Sequence, residues 1–519
     1  MFGADVIIGG VNSNGPYFTD RWATAKREPK IDDHQDWELI SASENNTHTI
    51  LNFGRPFDTC DPEDLPITSA TTKVIWSMGM TDVIQYHAKR GSRSVNMFDP
   101  APPKYDVSEF DTWELNVNTS LPNGQDTVYW CTCHRSPDFP EYKKHIVGFE
   151  VMLDNEEALA HNHHMILHNC LVKKENYDLF ESYLVENNPG GLCYTNDGSG
   201  MSDLVAQYCQ SYFYVWAKGG GPLFIPDNVG FPLYGNNTRQ YCIHEMHYDN
   251  PKKLSNVQYE TGLRVYTTDD LREHEAGVLS VGNYYSYTMM IPPNTDPFVV
   301  NGHCSSQCTN SQFPELRINV FNVLLHSHLC GRKIKLRHYR NGTELPWIST
   351  DDHYDFNYQQ NRALLENRQI LPGDGMTTEC TDSTTGLNNT TFGGLSTKDE
   401  MCDAYLMYFP RMELHTCSSA FQDFPYLLPL FGIEAVDSYF GVTDPTILSP
   451  ASLAGKKFSE VVNAFNWTPE IKAEFQNKTL FSYQRIFCAG NDGFVNFQDN
   501  SVNYPEDYVP YEPPPFNCT

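Results

Sequence analysis

Basic residues are scarce in this chain of 519 residues: 36 lysines and arginines face 65 aspartates and glutamates, which gives a formal charge of −29. Such an excess of negative charge opposes binding to a phosphate backbone or to an anionic lipid surface. Long apolar runs are missing too, since none approaches the roughly 18 residues that a membrane-spanning helix needs. The composition therefore excludes a nucleic-acid partner and a transmembrane segment within this chain.

Two motifs of zinc proteins are also missing. The 15 cysteines are not gathered in the paired C-x-x-C spacing of zinc ribbons. No H-E-x-x-H frame places a glutamate base beside two ligands, the nearest match being His244-Glu245 with His247. A zinc hydrolase therefore ranks last. Cysteines spread along a chain are instead typical of a disulfide framework, which indicates the secretory pathway and a secreted or lumenal protein.

Asparagine-linked glycosylation motifs indicate the same compartment. Nine N-x-S/T sequons occur, at Asn45, Asn118, Asn236, Asn341, Asn388, Asn389, Asn466, Asn477 and Asn517. Residues 1–5 show no basic region followed by an apolar stretch, so we expect that a signal peptide has been removed or that the chain is truncated. A membrane tether beyond Thr519 would not be visible in this sequence.

Short strand-like segments separated by turn signals fill most of the chain, with almost no helical periodicity. They predict an all-β dominated fold. The expected units are 1–90 as a small antiparallel domain, 91–108 as a linker, 109–292 and 293–419 as two tandem β-sandwiches, and 420–519 as a mixed C-terminal extension. Proline at Ile291-Pro292-Pro293 marks the join between the two sandwiches. One helix candidate runs from Ser452 to Asn466.

Histidines cluster in three places that could bind a metal. The groups are His161-Asn162-His163-His164-Met165, His244-Glu245-Met246-His247-Tyr248 and His326-Ser327-His328. On a strand, residues i and i+2 share a face, so His326 and His328 can present two imidazoles to one ion. The spacing is typical of a metal-binding pair.

The neighbouring histidines His163 and His164 are a harder case. Adjacent residues point to opposite faces of a strand, so joint binding requires a twist, a bulge or different ring nitrogens. For His161, His168 and His244 an ordinary structural role is the stronger explanation. Imidazole sites suit zinc or copper, and a nearby thioether favours Cu(I), but spacing alone does not identify the methionine.

At these residues the sequence resembles the copper type II, ascorbate-dependent monooxygenases, the family of dopamine β-hydroxylase and peptidylglycine α-hydroxylating monooxygenase. Four segments occur in the family's order. His163-His164-Met165 resembles its His-His-Met signature, 246–251 its Val-His-Tyr segment, 325–332 its His-Thr-His-Leu-x-Gly-Arg segment, and Gly393-Gly394 with Glu400-Met401-Cys402 the segment that carries a methionine ligand. Four motifs in one order form a highly specific signal.

The resemblance extends to the flanks. Residues 57–62, Phe-Asp-Thr-Cys-Asp-Pro, resemble the DOMON domain that precedes the catalytic core in dopamine β-hydroxylase and is lacking in the peptide-amidating branch. Residues 30–39 and 352–357 are most similar to the subgroup called DBH-like monooxygenases. The resemblance thus implies an N-terminal DOMON β-sandwich, two tandem jelly-roll-like copper domains and a C-terminal extension.

Two copper ions per chain are implied by the resemblance. The first would be held by His163, His164 and His247, and the second by His326, His328 and Met401. Ascorbate would be the reductant and O₂ the co-substrate, and the product would be an alcohol at an unactivated C–H carbon. An all-imidazole site suits an electron store, while a thioether stabilises Cu(I) where O₂ would bind.

The family's disulfide pattern implies six bridges. They join Cys60 to Cys518, Cys131 to Cys193, Cys170 to Cys209, Cys304 to Cys417, Cys308 to Cys488, and Cys380 to Cys402. Cys133, Cys242 and Cys330 have no assigned partner, and an odd total requires at least one free or intermolecular thiol. The neighbouring cysteines that link dopamine β-hydroxylase subunits are not found, so a homodimer is not expected to be covalent.

Two positions bear on the substrate. The amidating enzyme holds its peptide carboxylate with an arginine where this chain has Leu324, and a leucine cannot make that bidentate contact. Asp403 stands where the amidating enzyme has an asparagine, and a carboxylate suits a cationic amine better, although a solvated surface charge is the ordinary alternative. Tyr405 and Tyr408 fall where the family places tyrosines along its cleft, as catalytic or substrate-binding side chains, or they are ordinary packing.

The sequence therefore predicts a copper monooxygenase that hydroxylates a small, amine-bearing, aromatic or hydrophobic molecule, as in catecholamine-like metabolism. Two alternatives remain. One is peptidylglycine α-hydroxylation. The other is a non-catalytic extracellular protein that binds copper or another ligand, and the presence of all six ligand types argues against it.

Overall fold

The structure, a computed structural model, is β-rich throughout. It describes residues 3–98, 105–120, 125–137, 142–153, 155–194, 200–234, 239–255, 257–313, 317–440, 443–490, 493–494, 501–502 and 508–514. Strands account for about 48% of the residues and helices for about 13%, so the predicted all-β class is confirmed. No helix within the described ranges combines the length and the apolar character that spanning a membrane requires.

Two compact units make up the chain: Met1–Asp99 with Glu512–Thr519, and Pro100–Tyr511. The strands of the first unit are β1 (Ala4–Asn12), β2 (Gly15–Ala23), β3 (Lys30–Ile31), β4 (Glu38–Glu44), β5 (Thr49–Gly54), β6 (Thr72–Met78) and β7 (Lys89–Val95). They form one three-stranded sheet and two antiparallel hairpins. The β1–β2 turn is tight because Gly15 adopts a positive φ of 110°, which glycine tolerates.

The second unit begins with a sandwich of two sheets, called here the first sandwich. Its elements are β8 (Asp111–Ser120), β9 (Thr127–Arg135), β10 (Lys144–Leu153), α1 (Glu156–His161), β11 (Asn162–Cys170), α2 (Tyr177–Tyr183), β12 (Gly191–Leu192), α3 (Met201–Tyr208), β13 (Ser211–Ala217), β14 (Leu223–Phe224), β15 (Val229–Leu233), β16 (Tyr241–Asp249), β17 (Gln258–Thr268) and β18 (His274–Glu275).

The sheets of the first sandwich have the orders β18-β15-β10-β17-β8, with β14 beside β10, and β12-β9-β16-β11-β13. The alternation of apolar and polar residues along a strand determines which face of the sheet is buried. In β8, Trp113, Leu115 and Val117 are buried whereas the residues between them are exposed, as in a strand with one face on a core. Phe149 and Met246, from the two different sheets, join them in one hydrophobic cluster.

The second sandwich follows. Its elements are β19 (Gly277–Asn283), β20 (Met290–Ile291), β21 (Phe298–Cys304), α4 (Ser306–Gln312), β22 (Ile318–Ser327), β23 (Gly331–Arg340), β24 (Thr343–Asp351), β25 (Arg362–Ile370), β26 (Gly375–Asp382), β27 (Thr391–Phe392), β28 (Cys402–Phe409) and β29 (Leu414–Phe421). One sheet has the order β21-β26-β23-β24, and the other runs β25-β22-β28-β19-β29.

The remaining elements are mixed, as predicted for 420–519. They are α5 (Phe424–Leu430), β30 (Ala435–Val436), β31 (Ile447–Ser449), α6 (Phe458–Asn463), α7 (Pro469–Phe481), β32 (Gln484–Gly490), β33 (Gly493–Phe494) and β34 (Ser501–Val502). Strand β32 pairs with β29 and so extends the second sandwich. The helix predicted over 452–466 is reduced to α6, and the longer α7 follows, capped by Thr468 with Pro469 at its first turn.

The chain passes from the sheets of the first sandwich to those of the second earlier than the prolines at 292–293 suggest. Strand β19 pairs with β28 and β29 of the second sandwich, whereas β18 still pairs with β15 of the first. The transition therefore falls between Glu275 and Gly277. Similarly, β7 runs into the segment predicted as a linker, of which residues 99–104 lie outside the described part of the chain.

The two sandwiches share apolar surface. Phe321, Met407 and Phe409 of the second sandwich belong to the same buried cluster as the core residues of the first. The sheet face of β22 and β28 that carries them therefore packs against the first sandwich, and this face also carries the site described next.

Candidate metal centre

A β-bulge resolves the direction of the two adjacent histidines. In the β11–β16 pair, Asn162 lies opposite Tyr248 and His164 lies opposite His247, so His163 is an extra residue on β11. An extra residue of this kind changes the direction in which the side chains of the bulged strand point. As a result Nδ1 of His163 and Nδ1 of His247 lie 3.2 and 3.3 Å from Nδ1 of His164. Three buried imidazoles thus converge through one kind of ring nitrogen.

The outer nitrogens of this first cluster have partners. Nε2 of His247 lies 2.7 Å from Oγ1 of Thr127, and Nε2 of His164 lies 3.8 Å from Oε1 of Glu245. Such contacts favour a proton on Nε2 of these two rings and a lone pair on Nδ1, which is one of the two forms in which a neutral histidine binds a metal. Tyr129 stacks on the ring of His247, with a centroid distance of 4.1 Å.

The second cluster is built from the end of β22 and uses the opposite nitrogens. His326 donates from Nδ1 to Oε1 of Gln359 at 2.7 Å, and His328 donates from Nδ1 to the carbonyl of Asp399 at 3.2 Å. Nε2 of each ring is thereby left as the lone-pair nitrogen. Nε2 of His328 is buried without a hydrogen-bond partner among the described residues. An orphaned, buried lone pair of this kind is what a bound metal ion would satisfy.

The main chain of Met401 lies close to that of His328. Strands β22 and β28 pair His326 with Asp403 and Ser327 with Cys402, and just beyond this ladder the amides of His328 and Met401 donate to the same carboxylate oxygen of Glu400. The Met401 side chain is buried. A thioether together with two imidazoles would form a donor set that suits Cu(I).

The two clusters are close to each other. The ring centroid of His326 lies 5.9 Å from that of His164 and 6.2 Å from that of His163. Phe356, which follows β24, stacks on His163 at 4.3 Å. Both clusters therefore lie at the packed face between the two sandwiches.

Burial keeps most of these rings neutral. Loss of water, followed by the influence of neighbouring imidazoles, lowers the pKa of His163, His247 and His328 well below the ordinary histidine value. The same causes lower the pKa of His326 to about 4. Neutral imidazole is the form that binds a metal. The converging nitrogens, the orphaned Nε2 and the thioether together fit copper at both clusters.

A buried carboxylate supports the first cluster. Glu245 lies on the same face of β16 as His247 and accepts hydrogen bonds from Nε2 of His168 at 2.9 Å and from the Tyr194 hydroxyl at 2.8 Å. Although burial alone would raise its pKa, the imidazoles of His164 and His168 lower the pKa of Glu245 to about 2. The ionised group would offset the positive charge of an ion bound at the cluster.

The residues predicted to contact substrate separate onto two faces. Asp403 lies opposite His326, and Tyr405 lies opposite Leu324, so these four residues share the face that meets the first sandwich. Asp403 is buried, and that burial raises its pKa to about 8. Tyr408 lies on the other face, within the core of the second sandwich, with its hydroxyl 3.5 Å from the Leu414 carbonyl. The structure does not bring Tyr408 to the histidines.

His161, His168 and His244 do not belong to either cluster. His161 places Nδ1 2.9 Å from the Asp249 carbonyl, and His168 holds Glu245. His244 is buried on the opposite face of β16 from His247. Sequence reasoning did not assign roles to Thr127 or Gln359, and no motif marks them. Glu245 had a signal: a glutamate two residues before a ligand histidine on one strand.

Cysteines and sequons can be placed as well. The structure joins five of the expected pairs: Cys131–Cys193, Cys170–Cys209, Cys304–Cys417, Cys308–Cys488 and Cys380–Cys402. Cys60 is disulfide-bonded, and Cys518 lies outside the described residues. Cys133, Cys242 and Cys330 are free and buried.

Of the sequon asparagines, Asn236 and Asn517 are not described, and the others, Asn45, Asn118, Asn341, Asn388, Asn389, Asn466 and Asn477, are exposed.

Comparisons with known proteins agree with this architecture. Residues 113–255 match the family model of the copper type II ascorbate-dependent monooxygenase N-terminal domain, residues 274–427 match that of its C-terminal domain, and residues 1–79 match the DOMON domain. DBH-like monooxygenase protein 1 of Homo sapiens is 34% identical over 100% of this chain and 84% of its own length. Dopamine beta-hydroxylase of Equus caballus is 32% identical over 80% of this chain and 67% of its own length.

Proposed function

Because this chain belongs to the copper type II ascorbate-dependent monooxygenase family, we propose that it hydroxylates a C–H carbon of a small, amine-bearing, aromatic or hydrophobic molecule. The proposed reaction uses two copper ions per chain, ascorbate as reductant and O₂ as co-substrate. One observation carries the proposal: two neighbouring clusters of buried imidazoles meet through Nδ1 in one case and leave Nε2 free in the other.

Copper would supply reversible one-electron transfer and the activation of O₂. His163, His164 and His247 would hold the first ion, and His326, His328 and Met401 the second. Other residues of the chain determine which ring nitrogen of a histidine carries the proton. The Thr127 hydroxyl would accept from Nε2 of His247 and so leave its Nδ1 free, while Gln359 and the Asp399 carbonyl accept from Nδ1 of His326 and His328 and leave Nε2 of these rings free.

The substrate class rests on the face shared with His326. Asp403 is a carboxyl group directly across the ladder from this ligand, and Tyr405 follows on the same side. Tyr212 of the first sandwich meets the Tyr405 ring edge to face at 5.9 Å. A cationic amine that carries an apolar body suits this place, because its charge would favour the ionised form of the buried Asp403 carboxyl while the aromatic rings contact its apolar part. Asp403 and Tyr405 would then bind the substrate.

Peptide hydroxylation is disfavoured at Leu324. This side chain is buried in an apolar group with Ile166 and Val215. A peptide carboxylate placed there would lose its hydration without gaining a guanidinium partner. Release of glyoxylate from a glycine-extended peptide would nevertheless identify that activity directly.

The first test is copper stoichiometry in the purified full chain. Wild-type protein is expected to bind two ions, and His163→Ala and Met401→Leu are expected to lose one each or to bind it weakly. His161→Ala and Met407→Leu are matched controls, since both side chains lie near the sites in sequence but outside the two clusters. Two ions with site-specific loss support the proposal, and amines are then screened with ascorbate and O₂. One ion or none in the wild type favours a non-catalytic binding protein.

We also propose that the chain passes through the secretory pathway and carries N-linked glycans at its sequons. Seven of the nine asparagines lie on exposed, described residues, where glycosyl transfer is sterically open. A homodimer would be non-covalent. Glycosidase treatment followed by mass spectrometry tests the first point, and light scattering with and without reductant tests the second.

A further inference from the structure

Glu400 has a fully buried carboxylate that collects four hydrogen bonds. Oε1 accepts from the Ser327 hydroxyl at 2.8 Å, from the Met401 amide at 3.0 Å and from the His328 amide, and Oε2 accepts from the Cys330 amide at 2.8 Å. Its relative exposure is 0%. Burying a carboxylate is costly unless donors replace its lost water, so these contacts explain how the side chain is tolerated.

The four donors belong to two segments only. Ser327, His328 and Cys330 form the turn that ends β22, and Met401 begins the approach to β28. The ladder between these strands stops at the pair Ser327–Cys402. Beyond that pair, the Glu400 side chain takes over the connection between the segment that carries His328 and the segment that carries Met401.

Neighbouring contacts fix the same two segments from outside. The Tyr354 hydroxyl lies 3.0 Å from the Ser327 amide, and the ring of His328 is oriented by the Asp399 carbonyl. On the far side of Met401, Cys402 is bridged to Cys380. Only the Glu400 carboxylate, among the side chains of the described residues, accepts from the backbone of both His328 and Met401.

We propose that Glu400 is a positioning residue of the second metal site, which rests on the function proposed above. Its carboxylate holds the main chain of Met401 against that of His328, so that the thioether and the imidazole reach one ion together.

The test compares wild type, Glu400→Gln and Met401→Leu as full chains loaded anaerobically with Cu(I). The carboxamide keeps the shape of Glu400 but presents an NH₂ group to at least one N–H donor, so the four contacts cannot all persist. We expect Glu400→Gln to lower the Cu(I) affinity of the second site, the site that Met401→Leu removes, by about 10- to 100-fold in competition with bicinchoninate. The infrared band of carbon monoxide bound to Cu(I) there should weaken or shift.

Thr309→Val is the matched control for general destabilisation. The Thr309 hydroxyl is buried in the same sandwich and donates to the Asp374 carbonyl at 2.6 Å. This variant should lower the melting temperature but leave both Cu(I) affinities and the carbon monoxide band unchanged. A purely structural role for Glu400 would give the same result as the control.

The outcomes separate the two proposals. A wild type without two Cu(I) ions and without a carbon monoxide band overturns the proposed function. A normal wild type with an unchanged Glu400→Gln affinity and band overturns the positioning role. If Glu400→Gln does not fold, Ser327→Ala replaces it, because this change deletes one donor and keeps the charge. A shifted band in folded Ser327→Ala supports the role, and an unshifted band refutes it.

Discussion

Gln359 accepts a hydrogen bond from Nδ1 of His326 at 2.7 Å, and the main chain of the same residue links the second histidine cluster to the first sandwich. The backbone amide of Gln359 donates to the Lys218 carbonyl at 2.8 Å, next to β13. Its side-chain nitrogen lies 3.4 Å from Nε2 of His163. One side chain thus contacts a histidine of each cluster, while its main chain donates a hydrogen bond to the first sandwich.

Replacing Gln359 with leucine should weaken the second site more than the first, because the contact of its side chain with His326 (2.7 Å) is much shorter than its contact with His163 (3.4 Å). Leucine keeps much of the volume but leaves Nδ1 of His326 without an acceptor, so the ring loses its fixed tautomer and orientation. We expect an affinity for Cu(I) about tenfold lower at this site, as is typical for the loss of a partner behind a ligand histidine. Competition titration measures it, with the exposed Asn357→Ala as control. Equal affinities in both variants would contradict the assignment.

Asp403→Asn should separate charged from uncharged substrates. Losing a carboxylate partner costs a cationic ligand on the order of 1.5 to 3 kcal/mol, which corresponds to roughly a 10- to 100-fold higher KM. A neutral analogue of the same shape, with a hydroxyl in place of the ammonium group, should be affected far less. Steady-state kinetics on both compounds with ascorbate and O₂ measure the difference. An equal effect on the two would indicate a structural role for Asp403.

Removal of the Cys380–Cys402 bridge should affect both stability and copper binding. This bridge closes a loop of 22 residues and fixes the backbone directly after Met401. We expect the double serine variant to lose about 2 to 4 kcal/mol of stability and to bind the second ion more weakly. The matched variant lacks Cys308–Cys488, which joins α4 to β32 and is not next to a ligand in sequence. Thermal unfolding with copper titration should show weakened copper binding in the first variant only.

Stability in acid should depend on Asp374. Although burial opposes its ionisation, hydrogen bonds from Arg340 and then His338 lower the pKa of Asp374 from 3.8 to about 2. Because the folded pKa is lower than the unfolded value, the stabilisation is complete above about pH 4 and is lost as the pH falls towards 2.

The corresponding variant is Asp374→Asn. After allowance for solvent screening at the partly exposed Arg340, we expect it to be about 1 to 2 kcal/mol less stable than wild type at neutral pH. The gap between the two melting temperatures should narrow between pH 4 and pH 2. A gap that does not change across this range would show that the ionised carboxylate is not the cause. Asp352→Asn serves as the control.

Strand periodicity was enough to predict the His326 and His328 pair, since i and i+2 share a face of β22. It was not enough for His163 and His164, because the bulge that lets both rings converge depends on how β11 aligns with β16. The role proposed for Met401 follows from the family resemblance and not from spacing. Gln359 and Thr127 were not found, because they approach the ligands from distant strands and loops, which no local pattern reveals.

The domain limits show the same division between local and long-range information. Prolines at 292–293 mark a real interruption, yet β19 joins the second sandwich because it pairs with β28 and β29, far along the chain. Helix α7 did have a local signal, Thr468 followed by Pro469, which is a typical helix start. Strand pairing over long separations, by contrast, cannot be deduced from one sequence.

The different ring nitrogens of the two clusters give them different mechanical character. Nδ1 is bonded directly to the carbon that joins the ring to its stem, whereas Nε2 is on the far side of the ring. The donors of His163, His164 and His247 therefore stay close to the hydrogen-bonded ladder of β11 and β16 and move with it as a rigid body. The donor nitrogens of His326 and His328 lie further from the Cα atoms of their residues, so a small rotation of either side chain displaces them further. The nitrogens of the first cluster are therefore held more closely to their backbone than those of the second cluster.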